Sequence, residues 1–288
     1  MRAHDYIINK QTSWATNNGI KLIGSKGTRG AKNYAPELNR NLFEPLLPEV
    51  RDSFLRGDGN EILGSPNSPA KMQAVHSSSV LGVNIFQYWQ RIEKVHEIAA
   101  ACGFCNPGNT VSEKIVFEDK YPIDPSFSFP PNIDVVFHNK PTSKYKRFAV
   151  ECKFSEAYGT MEHGGIKPAY LKIESIWEDI PNLKNLAESI SPDDNQFKFL
   201  HPAQLIKHIL GLKRACGKNG FRLLYLWYDV IGKEGTAHQE EIDAFLQVTQ
   251  ADKIKFHALS YQELISRLDQ RYRPEHEAYI SYITERYL

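Results

Sequence analysis

Hydrophobic and polar positions alternate most clearly between residues 130 and 159, which read PPNIDVVFHNKPTSKYKRFAVECKFSEAYG. Two apolar runs, Asn132 to His138 and Arg147 to Phe154, flank a polar break made of Asn139, Lys140, Pro141, Thr142 and Ser143. Val- and Phe-rich runs bounded by turn formers predict two strands. Side chains alternate across a strand, so Phe148, Val150, Cys152 and Phe154 are expected in the core. Glu151 and Lys153 share the opposite face.

The same reading extends in both directions. Residues 76–104 predict one helix, capped within Ser77 to Ser79 and ended by Gly103. Its three- and four-residue steps run through Val83, Phe86, Trp89 or Gln90, Glu93 and Glu97, which makes the two glutamates neighbours on one face. Residues 111–123 predict a strand in which Ile115 and Phe117 alternate with charged residues. Residues 197–220 predict an amphipathic helix with Pro202 in its first turn and Gly217 near its end. The nearly continuous apolar run at 221–230 predicts a central strand covered on both faces. A helix over about 238–250, a strand at KIKFHAL and a helix opened by the Ser260/Glu263 capping box follow. The aromatic tail HEAYISYITERYL is expected to pack on the body or on a second subunit.

Two regions are less regular. Residues 156–195 form an insertion with helix-like pieces around Leu171 to Trp177 and Leu183 to Ile190. Residues 1–80 contain a partly helical stretch, Asn39 to Arg56, interrupted by Pro45 and Pro48, and a loop at 57–69 in which Asp58 and Glu61 are expected to be solvated. The expected fold class is α/β (α+β), a mixed central sheet flanked by helices. The expected organisation is an N-terminal extension, 1–80, and a main domain, 81–288, with the insertion at 156–195.

Composition bounds the function. In a chain of 288 residues, 41% hydrophobic and 24% charged residues are ordinary for a globular protein. No run of 18 apolar residues and no apolar leader core occurs, so a cytoplasmic protein with no membrane partner is expected. The formal net charge of +1 means that contact with nucleic acid has to come from local clusters of Lys and Arg. One such cluster is Lys26, Arg29 and Lys32 in GSKGTRGAK, which lacks the phosphate-loop spacing and reads as a flexible basic loop or a DNA-backbone contact. Cys102 and Cys105 form a CxxC with no second pair, so free thiols are expected.

The charges inside the hairpin change the picture most. Asp134 follows an apolar residue and precedes VVF, and Glu151 and Lys153 interrupt an apolar strand. Pairing the strands brings Asp134 toward Glu151. Two carboxylates beside a lysine suit a hard divalent cation, Mg²⁺ with Mn²⁺ as substitute. The lysine would steady the attacking water or the developing negative charge.

This pattern resembles the PD-(D/E)xK nuclease superfamily, which includes many restriction endonucleases. Asp134 matches the family aspartate and Glu151-Cys152-Lys153 the (D/E)xK tripeptide; Ile133 precedes the aspartate, and Pro131 lies three positions before it. The resemblance covers residues 84 to 230 and implies an αβββαβ core. It implies metal binding by Asp134, Glu151 and the backbone carbonyl of Cys152, with Lys153 at the water. It also suggests an acidic residue on the preceding helix, Glu97 or Glu93, and places Gln204, on the following helix, at the scissile phosphate or the metal-bound water. Glu113 and Glu118 are secondary candidates, and Lys207 is a candidate DNA contact. His201 and His208 are expected at the surface or in a groove. Glu156 is expected to point away from the metal. The implied function is Mg²⁺-dependent cutting of double-stranded DNA by a homodimer, as a type II-like restriction or defence enzyme. The alternatives are a repair or recombination nuclease and a binding module without chemistry.

Overall fold

The computed structural model describes residues 1–26, 29–57, 59–65, 67–160 and 163–288; Asp58 lies outside the described residues. The chain opens with α1 (Ala3–Asn17), the hairpin strands β1 (Ile23–Lys26) and β2 (Arg29–Tyr34), and α2 (Pro48–Arg56). Next come α3 (Ser78–Arg91), α4 (Val95–Ala101), and the strands β3 (Ser112–Lys120), β4 (Asn132–Asn139) and β5 (Arg147–Lys153). The insertion holds the short helix α5 (Pro168–Leu171) and α6 (Pro181–Ser189). The chain ends with α7 (Pro202–Cys216), β6 (Phe221–Trp227), α8 (Lys233–Ala251), β7 (Phe256–Ser260), α9 (Tyr261–Tyr272) and α10 (Glu277–Tyr287).

The five strands β3 to β7 lie side by side in chain order. The β3–β4 and β4–β5 pairs are antiparallel, whereas β5–β6 and β6–β7 are parallel. The hairpin read from the sequence is β4–β5, in register from Val135 opposite Val150 to His138 opposite Arg147. The α7 crossover then returns the chain to lay β6 parallel to β5, as βαβ connections require.

Each strand face builds its own core. Phe148, Val150, Cys152 and Phe154 pack with Ile115, Phe117, Val135 and Phe137 beneath α3, α9 and α10. Ala149, Leu223, Tyr225 and Trp227 pack on the other side with Leu205, Ile209 and Leu212 of α7 and Ile242 and Phe245 of α8. The strand β6 is therefore covered on both faces, the reason it reads as a continuous apolar run.

The helix expected over 76–104 is two helices. Ser77 caps the first through the Val80 amide. The break comes at Glu93, which adopts φ 59°, and the backbone there turns through Glu93 N–H to Gln90 O and Lys94 N–H to Trp89 O. Tertiary packing outweighs the helical pattern here. Trp89 is fully buried and donates to Tyr279 Oη, while α4 redirects Val95, Ile98 and Ala99 into the core. Glu93 and Glu97 consequently do not share one continuous helix.

The first eighty residues pack closely. Ala3, Ile7, Leu42, Val50, Phe54 and Met72 enter the same core layer as Tyr279, Ile280 and Ile283 of α10. The aromatic tail is that helix, and it packs on the body. GSKGTRGAK, one of whose two readings was a flexible basic loop, contributes to the hairpin β1–β2, with Lys26, Arg29 and Lys32 exposed on it. Among the described residues no helix is long and apolar enough to cross a membrane.

Candidate active site

Two rungs connect β5 to α7. Glu151 and Lys153 are two residues apart on the strand, about 6.6 Å at 3.3 Å per residue. Gln204 and His208 are four apart on the helix, about 6 Å at 1.5 Å per residue. The spacings match, and each strand residue meets one helix residue. Gln204 Oε1 accepts from Lys153 Nζ at 2.9 Å. His208 Nε2 lies 2.8 Å from Glu151 Oε2. A lengthwise contact, Lys153 Nζ to Glu151 Oε1 at 2.8 Å, closes the group.

The two carboxylates are held in opposite electrostatic states. Burial pushes Glu151 up, but the Lys153 charge and His208 outweigh it and hold the carboxyl at about 2. Burial also pushes Asp134 up, and the charges of Glu151 and Glu118 add to the rise; Lys153 and the Cys152 amide only partly offset them. Asp134 is thus raised well above the ordinary range, a carboxylate that gains from added positive charge. Lys153 loses by burial but gains more from Glu151, Glu156 and Asp134, so its ammonium is held above the usual lysine range and stays protonated.

The position of Asp134 depends on a local irregularity. Ile133 and Val135, two residues apart, belong to opposite core layers. Across from them on β3, Glu118 adopts φ 53° between Phe117 opposite Val135 and Asp119 opposite Ile133. Regular β4–β5 pairing stops at Val135, and the Asp134 carboxylate takes the Cys152 amide at 2.7 Å. A side chain has replaced the next backbone partner of the ladder. Asp134 is thereby fixed at the end of the strand that carries Glu151 and Lys153.

The structure brings Asp134, Glu151, Lys153 and Gln204 together, with Glu118 and His208 beside them, and it corrects the expectation for Glu156, whose charge acts on Lys153 and which lines the cleft over it; Glu93, Glu97 and Glu113 lie elsewhere. Glu97 pairs with Lys94 at 3.4 Å, and Lys94 also pairs with Glu275. Glu93 is exposed at the turn between α3 and α4, and Glu113 is exposed on β3. Glu118, opposite Asp134, is the acidic residue whose charge Asp134 feels besides Glu151. Glu156 accepts the Phe154 amide at 3.2 Å. The surface or groove expectation for His208 is corrected: the side chain is 1% exposed, because the β5-facing side of α7 is sealed against the sheet. Its signal was the four-residue step from Gln204, the next turn of the same helix face. Lys207, half-buried, carries an ammonium that burial lowers first and Lys167 lowers further.

A cleft of ≈ 230 Å³ opens over Lys153 and is lined by Glu156, Ala157, His163, Lys198, Phe199 and His201. Burial, followed by the charges of His163, Lys153 and Lys207, lowers His201 to about 4, so the ring is neutral at pH 7. The neighbouring Asp134 and Glu151 are the carboxylates that could hold a hard cation. Glu151 Oε1 is buried against the Lys153 ammonium at 2.8 Å. Among the described residues no three His, Cys, Asp or Glu side chains gather as a metal cluster. Two carboxylates are within what an ion such as Mg²⁺ uses, since it is held by one or two of them and keeps several waters.

A mixed five-stranded sheet with helices on both faces is the architecture of restriction-endonuclease-like proteins. The chain belongs to the family Restriction Endonuclease associating with ARP (REase-ARP), whose sequence model matches residues 8–288. Membership supports a nuclease or defence role. No curated protein and no solved structure matches the chain.

Proposed function

We propose that the protein is a divalent-metal-dependent deoxyribonuclease of PD-(D/E)xK type, a restriction or defence enzyme that hydrolyses phosphodiester bonds in double-stranded DNA. The observation that carries this reading is the joining of Asp134, Glu151 and Lys153 at one strand end through the Cys152 amide and the 2.8 Å Lys153–Glu151 pair.

Asp134 and Glu151 would hold Mg²⁺ or Mn²⁺, with the Cys152 carbonyl as a third oxygen. A residue's N–H and C=O point to the same neighbouring strand, so this carbonyl faces the side on which Asp134 takes the amide. The cation would polarise the phosphate and lower the pKa of a bound water. Lys153, held protonated by its carboxylate neighbours, supplies a fixed positive charge rather than a base. It would donate to the attacking water or to the negative charge that develops on phosphorus. Gln204 fixes that ammonium through Oε1 and keeps its amide N–H groups for a phosphate oxygen. His208 positions Glu151 from behind. The exposed Lys26, Arg29 and Lys32 and the half-buried Lys207 would contact the DNA backbone. Two copies acting as a dimer would address the two antiparallel strands.

The experiment is digestion of a long, defined double-stranded DNA with Mg²⁺, followed by sequencing of the ends. Discrete fragments carrying 5′-phosphates are expected. Asp134→Ala and Lys153→Ala should each cut on the order of 10²-fold more slowly or worse, with DNA binding retained. Undiminished cutting by both variants would refute the proposal.

A further inference from the structure

Asp134, Glu151 and Lys153 lie toward one end of the sheet. At the other end, the segments 102–114, 138–147, 216–222 and 252–256 carry nine Lys and Arg against two acidic residues, Glu113 and Asp252. The whole chain has a formal net charge of only +1, so this excess is local. Asp252 is buried and accepts the Asn182 and Leu183 amides, and Asp119, reaching in from β3, meets His138 at 2.8 Å. Strand register joins the segments in one row. Lys114 stands opposite His138, His138 opposite Arg147, Arg147 opposite Phe221, and Leu223 opposite Phe256. Four interstrand steps of about 4.8 Å make the row roughly 19 Å long. Lys114, Lys140, Lys144, Lys253 and Lys255 are exposed along it, and none of these ammonium groups pairs with a carboxylate among the described residues. The loop between β4 and β5 is braced from within. Lys146 Nζ donates to Ser143 O at 2.8 Å, Asn139 Nδ2 to Tyr145 O at 3.0 Å, and the Lys146 amide to Gly220 O at 2.7 Å. Lys140 and Lys144 are thus carried on fixed backbone.

Exposed like charges repel one another, and a polyanion laid along them relieves the repulsion and releases its own counterions. We propose that this end of the sheet binds the phosphate backbone of duplex DNA, as a contact surface separate from the site of cutting. A duplex presents one negative charge per about 1.7 Å of its axis, so the row lies along roughly eleven of them. No aromatic side chain in these segments is exposed, whereas binding of single strands uses aromatic platforms for the bases. The half-buried Tyr145 ring is instead taken up by cations, with the Lys144 ammonium 5.4 Å and the Arg222 guanidinium 5.8 Å from its centre. Arg147 and Lys153 are six residues apart on β5, about 20 Å, so the surface does not touch the phosphate that is cut. Backbone contacts of this kind add affinity and hold the orientation of the duplex without reading its sequence. The inference rests on the DNA-binding half of the proposed function and adds a second surface to it.

The test is fluorescence anisotropy with a labelled duplex of about two helical turns, between about 50 and 200 mM NaCl, without divalent cation so that no cutting occurs. The wild-type protein is compared with the triple variant Lys140→Gln/Lys144→Gln/Lys255→Gln. All three side chains are exposed, so the variant should keep the wild-type melting temperature. Each phosphate contact contributes about 0.9 to the slope of log K against log salt, so the slope should fall by roughly 2–3 in the variant. Its affinity at the lowest salt should fall on the order of tenfold or more. An unchanged slope and affinity, or binding of no duplex by the wild-type protein, overturns the inference. Poly-L-glutamate should bind weakly and equally to both proteins. A tighter hold on it than on the duplex, lost in the variant, would assign the surface to an acidic protein and overturn the inference as well. A slope that falls in the variant of a protein that cuts no DNA would sink the nuclease reading and leave the surface standing. Cutting with an unchanged slope would do the reverse.

Discussion

At the scale of the residue, the site holds a carboxylate that works against the fold. Asp134 is raised by burial and by the neighbouring Glu151 and Glu118 charges. A carboxyl whose folded pKa exceeds its unfolded value destabilises the protein whenever it is ionised, and the cost disappears as pH falls below both values. Asp134→Asn should therefore melt at a higher temperature than wild type at pH 8 in chelator, with the difference vanishing in acid. Mg²⁺ should raise the melting temperature of the wild-type protein and leave that of the variant unchanged. Glu151 has the opposite sign. Its carboxyl, held at about 2 despite burial, contributes stability above the unfolded value near 4.5, and this is lost as pH falls toward 2. His208→Ala would leave Glu151 Oε2 buried without its donor. The expected loss is roughly 2–3 kcal/mol, readable by urea unfolding at pH 7, together with slower cutting.

At the scale of the element, α7 is the helix that aims the site. It reaches the sheet closely because Gly211 has no side chain: a Cβ there would lie 2.5 Å from the Tyr121 carbonyl oxygen and 2.8 Å from its Cβ. Both neighbours are close to backbone and have little freedom to yield. Gly211→Ala should cost about 1–3 kcal/mol and, by tilting α7 off β5, impair Gln204 and His208 as well. Wild-type cutting and wild-type stability in that variant would contradict the close approach. The ends of α7 were legible. Pro202 opens it and Gly217, at φ 73°, lies just past Cys216, where a left-handed residue ends a helix. The break between α3 and α4 was not, because Glu93 has no sequence mark for a positive φ, and the gain from turning there belongs to the partners of Trp89 and Ile98.

At the scale of the whole molecule, both ends of the chain close on one buried cation. Arg286 is fully buried and donates to Asn41 O at 2.7 Å, Asn41 Oδ1 at 2.5 Å and Gln11 Oε1 at 3.1 Å. Its guanidinium also lies 4.1 Å from the Trp14 ring centre. Gln11 returns a hydrogen bond to the Arg286 carbonyl at 2.9 Å, tying α1 to α10. Arg286→Ala removes the donors and leaves these acceptors buried. A loss of roughly 3 kcal/mol or more is expected, measured by thermal or urea unfolding. Retained stability would mean that the two ends are held by apolar packing alone. The same region joins the basic hairpin to the site: β2 bridges from Tyr34 to Ala74, and the His76 carbonyl accepts Ser155 Oγ, two residues beyond Lys153.

The sequence alone determined the sheet and three of its charged residues. Period-two alternation in RFAVECKF separates core from site within one strand, and that is a local property of the chain. The order of strands and helices from β3 to α10 follows from runs and breaks that are equally local, whereas the break between α3 and α4 does not. Only the tertiary structure decided what stands behind and beside those charges. The pairing of Glu151 with His208 and of Lys153 with Gln204 depends on a helix fifty residues away matching the rise of a strand. The approach of Glu118 to Asp134 depends on cross-strand register and a left-handed residue. The burial of Arg286 depends on a contact between the two ends of the chain. Burial, register and long-range contact are made only when separate segments are brought together, and so no stretch of sequence records them by itself.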